Sequence, residues 1–232
     1  MANKLKLIKA VTYRLYSSII TFLIAFIITG NLVASIFIGI IDSIIKIFSY
    51  YLFNEIWVKL TGFKIKPAVV FLTGLSGSGK TTISKALVEK YKKHGIIPVL
   101  LDGDEIRKVI HQTGFDEESR KKHNLNVGYM ASLLESQGNV VIVSLISPYV
   151  DIRNEIRNMC KKFVEVYVST DIKVCIERDP KGLYAKAIAG EIKDFTGISA
   201  PYYAPENPEL VLDTAVLSIS ACTEKIFKAS IK

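Results

Sequence analysis

The stretch Gly74-Leu75-Ser76-Gly77-Ser78-Gly79-Lys80-Thr81 places small residues, a lysine and a hydroxyl at the spacing GxxxxGK[ST]. Residues this small let successive backbone N–H groups wrap a chain of phosphates. A lysine at that place reaches the β- and γ-phosphates, and the following hydroxyl can ligate Mg²⁺. ATP and Mg²⁺ are the cofactors implied, with Gly74 to Thr81 and the adjacent Thr82 around ATP. Lys80 is the catalytic cation and Thr81 a metal ligand. A phosphate loop alone does not separate a kinase from a nucleotide-driven switch or motor. The segment Leu101-Asp102-Gly103-Asp104-Glu105-Ile106-Arg107 helps to decide, because it offers two carboxylates and an arginine. Asp102 can hold Mg²⁺-bound water or take the proton of an attacking hydroxyl, and Arg107, one helical turn past Asp104, can neutralise an anionic acceptor. Asp104 by itself reads equally well as a helix N-cap.

These groups need elements to hold them. Short β-branched runs at residues 68–73, 97–101, 140–144, 163–168 and 210–212 alternate with amphipathic stretches from residue 67 onward. That alternation is the βαβ signature, and continuous apolar runs such as Val140-Val141-Ile142-Val143 suit strands buried on both faces. The spacing predicts an α/β fold with a central parallel sheet of about five strands flanked by helices, which with the phosphate loop and the Asp102 to Arg107 segment reads as a phosphate-loop kinase. The loop then follows the first strand and opens a helix over residues 82–93. The carboxylates of the second strand fall at the carboxyl edge, where open α/β sheets bind ligands.

The 232 residues, half of them hydrophobic, suffice for one such domain over residues 67–232 and an appendage over residues 1–66. The formal net charge of +8 is uneven: residues 1–66 carry +6 and residues 67–232 only +2, so a nucleic-acid partner is not expected. Cys160, Cys175 and Cys222 form no CxxC pair, which argues against a zinc site or a disulfide framework and for a reducing compartment.

Within the appendage, apolar stretches at about residues 11–28 and 32–53 flank Gly30-Asn31 and each approaches the ~20 residues that cross a bilayer. They read as a transmembrane hairpin; a cleaved signal peptide fits less well, since no small-residue cleavage site follows Ile28. Lys4, Lys6, Lys9 and Arg14 before the first span, and Lys59, Lys64 and Lys66 after the second, place both ends in the cytosol. Tyr50, Tyr51 and Trp57 fit an interfacial belt. Asp42 and Lys46 share a helix face and can pair rather than sit in lipid as lone charges. The segments Asp42-Ser43-Ile44-Ile45-Lys46 and Tyr50 to Trp57 resemble a two-helix bacterial membrane-domain family of unknown function. That implies a two-span membrane protein with its soluble domain in the cytosol.

From Thr73 to Thr214 the chain resembles the adenylyl-sulfate kinase family. The resemblance rests on the phosphate loop, Asp102-Gly103-Asp104, Gly114-Phe115 with Arg120, and Ile146-Ser147-Pro148-Tyr149. It extends through Arg178-Asp179-Pro180-Lys181-Gly182-Leu183-Tyr184 and Gly190-Glu191-Ile192, then Phe195-Thr196-Gly197, to Pro205-Glu206-Asn207-Pro208-Glu209-Leu210. It implies transfer of the γ-phosphate of ATP to the 3′-hydroxyl of adenylyl sulfate, a small-molecule nucleotide acceptor, and by analogy a possible homodimer. By position, Phe115 and Phe195 would sandwich the acceptor's base, Arg107 and Arg120 would bind its phosphosulfate with Asp104 nearby, and Asp102 would assist the hydroxyl and hold the metal. Ile146, Ser147 and Pro148 would line the acceptor site. Ser147 matches the serine that the family is described as phosphorylating, and reads here as a positioning group. Arg178 would close on ATP, with Lys181, Gly182 and Leu183 of the same lid-like stretch meeting the acceptor. One block departs: where the family has Asn-Ile-Arg-Arg, this sequence has His123-Asn124-Leu125-Asn126. Two basic residues are lost, so cytidine diphosphoramidate, the acceptor of related kinases of surface-polysaccharide clusters, is the alternative. His111 and His123 carry no expected catalytic role. A decayed scaffold is disfavoured because Lys80, Thr81, Asp102 and Arg107 all remain. A transporter is disfavoured because two spans enclose no path.

Overall fold

The apolar run Ala68–Thr73 forms β1, and its side chains go alternately to the two faces of a sheet, as a two-residue period requires. Val70 and Leu72 pack with Ile83, Leu87 and Tyr91 of α3 (Lys80–Lys93) and with Cys222, Ile226 and Phe227 of α9 (Ile219–Ile231). Val69 and Phe71 pack with Val127 and Ala131 of α5 (Glu117–Ser136) and Ile152 and Ile156 of α6 (Val150–Met159). The other strands are β2 (Val99–Asp102), β3 (Val140–Ser144), β4 (Phe163–Val168) and β5 (Leu210–Leu212). All pairings are parallel, in the order β2-β3-β1-β4-β5. The carboxyl ends of the strands therefore share one edge, where α4 (Gly103–Val109), α7 (Ile172–Arg178) and α8 (Leu183–Ile188) also lie close to the loops in sequence.

This computed structural model describes residues 2–61, 66–110 and 114–231. The sheet and its five strands match the sequence expectation, with one boundary moved: β2 begins at Val99 rather than at residue 97. Pro98 has no N–H to give to a ladder, and Ile97 before it is 81% exposed. Asp102 instead joins the strand, opposite Ser144.

The chain divides into two compact units between residues 64 and 65. The first holds α1 (Ala2–Thr29) and α2 (Leu32–Thr61). Gly30 takes a left-handed φ of 64° between them, and Asn31 Oδ1 accepts from the backbone N–H of Val33 and Ala34 at 3.0 and 3.2 Å, capping α2. The helices meet through Ser18–Ser43 at 2.8 Å and Thr29–Ser35 at 3.2 Å, and Asp42 and Lys46 do pair, at 2.6 Å. Among the described residues one stretch, Leu32–Tyr50, is long and apolar enough to cross a membrane, and Tyr16–Thr29 is apolar but shorter. The side chains of Lys4, Lys6, Lys9, Arg14, Tyr51, Trp57, Lys59 and Lys64, which carry the orientation and interface expectations, lie outside the described residues.

Candidate active site

The phosphate loop turns off β1 through backbone that other residues resist. Gly74 has φ 146°, and a Cβ there would stand 2.5 Å from the Val168 carbonyl oxygen; Gly79 caps α3 at φ 102°. Lys80 Nζ donates to the Gly74 and Leu75 carbonyls at 2.9 and 2.7 Å, across the loop it closes. Burial lowers its pKa to about 8. Ser78 Oγ is buried without a partner, as expected of a cradle shaped for a polar ligand. ATP phosphates favour protonated Lys80, so binding at a pH above about 8 should take up a proton that binding at pH 6.5 does not. Calorimetry in buffers of different ionisation enthalpy measures this; equal proton uptake at both pH values contradicts the assignment.

Thr81 and Thr82 follow on the first turn of α3, and the Thr81 hydroxyl lies 3.3 Å from Asp102 Oδ2. Two hard oxygen donors side by side at a phosphate loop fit Mg²⁺, which needs few protein ligands because phosphate and water complete its shell. The cap of α4 is Asp102, not Asp104: its Oδ1 accepts from the Asp104 N–H at 3.0 Å. Asp104 is thereby free to pair with Lys181 of the α7–α8 turn. Arg107 donates to the Gly114 carbonyl at 2.8 Å and stacks 4.7 Å from the Phe115 ring centre. Burial and the nearby positive charge of Arg120 both lower its pKa. Two guanidiniums that repel one another favour an anion between them.

Arg120 is committed more deeply than expected: it donates to Thr196 Oγ1 at 2.7 Å and to the Asp194 carbonyl. Phe195 between them is buried edge-on against Tyr184, whereas Phe115 is 57% exposed. Ile146 and Pro148 present their carbonyls to Thr73 Oγ1 (2.7 Å) and the Tyr203 N–H (2.9 Å), holding Ser147 between them. Ser147 has φ 44° and a buried hydroxyl without a partner, two unusual features at one residue. Gly182, at φ 64°, caps α8 just before Leu183. Arg178 is held by Thr214, donating to its Oγ1 at 2.7 Å and its carbonyl at 3.0 Å, while Thr214 Oγ1 donates to the Ser78 carbonyl at 2.8 Å.

Several supports carry no local signal in the sequence. Thr170 and Thr214 both brace the Ser78 carbonyl, from the ends of β4 and β5. Tyr184 donates its hydroxyl to the Ser76 carbonyl at 3.0 Å. Arg153 donates to Glu165, to the Ser147 carbonyl and to the Tyr203 carbonyl at 2.9, 2.5 and 2.8 Å. Glu165, an acid inside an apolar strand, was the available signal, since a buried carboxylate requires a partner.

His111 lies outside the described residues. His123 is 1% exposed on α5, and neither ring nitrogen has a hydrogen-bond partner. Burial, then the charge of Arg107, lowers its pKa to about 4; the Gly103 backbone nearby offsets this only in part and without hydrogen-bond geometry. The folded pKa lies below the ordinary 6.5, so the unfolded chain binds more protons in between. Stability present above pH 6.5 should thus be lost as pH falls towards 4. Urea titrations of wild type and His123→Leu over this range should show a shallower acid limb in the variant; identical limbs would contradict the assignment.

A sequence model of the family described as Adenylylsulphate kinase matches residues 66–213, and one described as Predicted membrane protein matches residues 7–58. The adenylyl-sulfate kinase of Rippkaea orientalis is 46% identical over 166 residues, covering 71% of this chain and 92% of that relative. The Mycobacterium tuberculosis APS kinase solved in complex with AMPPNP and APS is 37% identical with a TM-score of 0.68, over 71% of this chain and 97% of that one. A hexameric APS kinase from Thiobacillus denitrificans is 27% identical with a TM-score of 0.54, over 72% of this chain and 29% of that one. By the matched family model, the loop geometry and these relatives, the chain belongs to the adenylylsulphate kinase family.

Proposed function

We propose that the chain transfers the γ-phosphate of ATP to the 3′-hydroxyl of adenylyl sulfate, activating sulfate for later transfer. The observation that carries the reading is the sharing of one sheet edge by a closed phosphate loop, the Thr81–Asp102 oxygen pair and the unpartnered hydroxyl of Ser147. Lys80 faces the β- and γ-phosphates, within the loop formed by Gly74 to Thr81. Thr81 and Asp102 would hold Mg²⁺, which would supply charge neutralisation at the phosphates. The acceptor oxygen forms a bond to the γ-phosphorus as the β–γ bridging bond breaks, and the hydroxyl proton passes to Asp102 or its bound water. Arg107 and Arg120 bind the acceptor's anionic groups, Phe115 and Phe195 its base, and Ser147 orients it between Ile146 and Pro148. Arg178 contacts ATP, while Lys181, Gly182 and Leu183 cover the acceptor beside Asp104.

Residues 67–232 are the kinase domain and residues 1–66 a two-span membrane hairpin that keeps it on the cytosolic side. The membrane-protein family match and the apolar stretch Leu32–Tyr50 support this organisation, and a homodimer is in keeping with the oligomeric relative. A second acceptor, cytidine diphosphoramidate, is kept because two basic residues of the family's block are replaced, by Leu125 and Asn126. ADP release by the full chain in detergent, with ATP, Mg²⁺ and each acceptor separately, distinguishes them. Adenylyl sulfate should give the higher kcat/KM; a preference for the cytidine compound would overturn the primary reading, and turnover of neither would sink both.

A further inference from the structure

Asp42 and Lys46 are charged side chains within Leu32–Tyr50, the stretch apolar enough to cross a bilayer. Lys46 does not extend towards Tyr50 and the end of that stretch. Its Nζ points back, lying 2.6 Å from Asp42 Oδ2 and donating to Ser17 Oγ at 2.8 Å and Thr21 Oγ1 at 3.4 Å. Ser18 and Ser43 join at 2.8 Å beside them. The charge is thus kept at the level of Asp42, among hydroxyls of both helices, and does not snorkel towards the interface.

One hairpin does not finish this layer. The Lys46 side chain stays 41% exposed and that of Asp42 25%. Asp42 Oδ2 is itself buried, 2.6 Å from the ammonium, so what the hairpin leaves open is the rest of these two side chains. Around it α2 presents exposed Ile38, Ile41 and Ile45, a surface made for lipid. Charged side chains left part-open to hydrocarbon are costly and are met by burial against other protein groups.

We propose that a second copy of this chain covers the layer, so that the hairpin is a dimerisation module. The pair is self-complementary. Two copies inserted the same way and related by a two-fold axis along the bilayer normal run their α2 helices in parallel, with each Lys46 one turn, about 6 Å, along the axis from either Asp42. That is the spacing Lys46 already spans within its own helix. Each carboxylate can then accept from both ammoniums, and the four charges sum to zero. Another protein would have to supply a matching acid and base at the same depth, whereas a second copy supplies both by symmetry. The inference rests on the two-span reading of the appendage.

Full-length chain in membranes, with Cys160, Cys175 and Cys222 replaced by alanine so that Ile38→Cys or Ile40→Cys supplies the one thiol, and treated with a thiol cross-linker, reads the contact inside the hairpin. Ile38 lies on the Asp42 side of α2 and Ile40 nearly opposite. Cross-linking is expected at Ile38→Cys and not at Ile40→Cys. It should be lost with D42K alone or K46D alone, each of which makes the layer single-signed, and restored when those two chains are co-expressed. The double exchange D42K/K46D should retain it. Equal cross-linking at both cysteines, none in the wild-type background, persistence in the single reversals, or failure of the mixed pair to recover would each overturn the dimer. Extraction at alkaline carbonate separates the two claims: a chain that washes off membranes refutes the two-span reading itself, and one that stays but does not cross-link refutes only the dimer.

Discussion

Replacing Lys80 by alanine lowers the phosphoryl-transfer rate by about 10³-fold or more. The transferred group carries its charge on peripheral oxygens, so positioning and neutralisation do most of the catalytic work. Lys80 is the cation built into the loop, held over it by the Gly74 and Leu75 carbonyls at 2.9 and 2.7 Å. Burial, which lowers its pKa to about 8, makes the bare ammonium costly and its contact with phosphate correspondingly favourable. Single-turnover rates with saturating ATP and acceptor measure the loss, with thermal unfolding as the control for folding. A rate within about tenfold of wild type would mean that another group neutralises the phosphates.

Replacing Arg153 by alanine destabilises the soluble unit by about 3 kcal/mol, the lower end for breaking a buried ion pair. The side chain is 1% exposed, and its loss removes a donor from Glu165 Oε1 and from the Ser147 and Tyr203 carbonyls. Arg157 still reaches the other Glu165 oxygen at 3.0 Å, which keeps the loss from being larger. Because Arg153 also supports the Ser147 backbone, the acceptor KM should rise while the ATP KM changes little. Urea unfolding and steady-state kinetics test both; a stability change under about 1 kcal/mol would contradict the buried-pair account.

The parts of the fold that were legible are those whose cause is local. The run Val140-Val141-Ile142-Val143 announces a strand covered on both faces, and the phosphate loop announces the strand before it and the helix after it. Pro98 could also have set the start of β2, but the apolar Ile97 masked it. What was not legible depends on distant partners. Thr214 meets the Ser78 carbonyl across 136 positions, and Arg120 also donates to the loop at 194–196. The capping role fell to Asp102, because the strand runs one residue further than its apolar residues do. Asp42 and Lys46 were readable as a pair because four residues on a helix are neighbours, but their bonds to Ser17 and Thr21 arise only when α1 packs on α2.

The most direct test of the central claim is phosphorus NMR of the reaction of the full chain with ATP, Mg²⁺ and adenylyl sulfate. The account predicts ADP together with a new phosphomonoester on the 3′ position of the acceptor, formed one for one. ADP and free phosphate without that ester, or an ester only when cytidine diphosphoramidate replaces adenylyl sulfate, would contradict it.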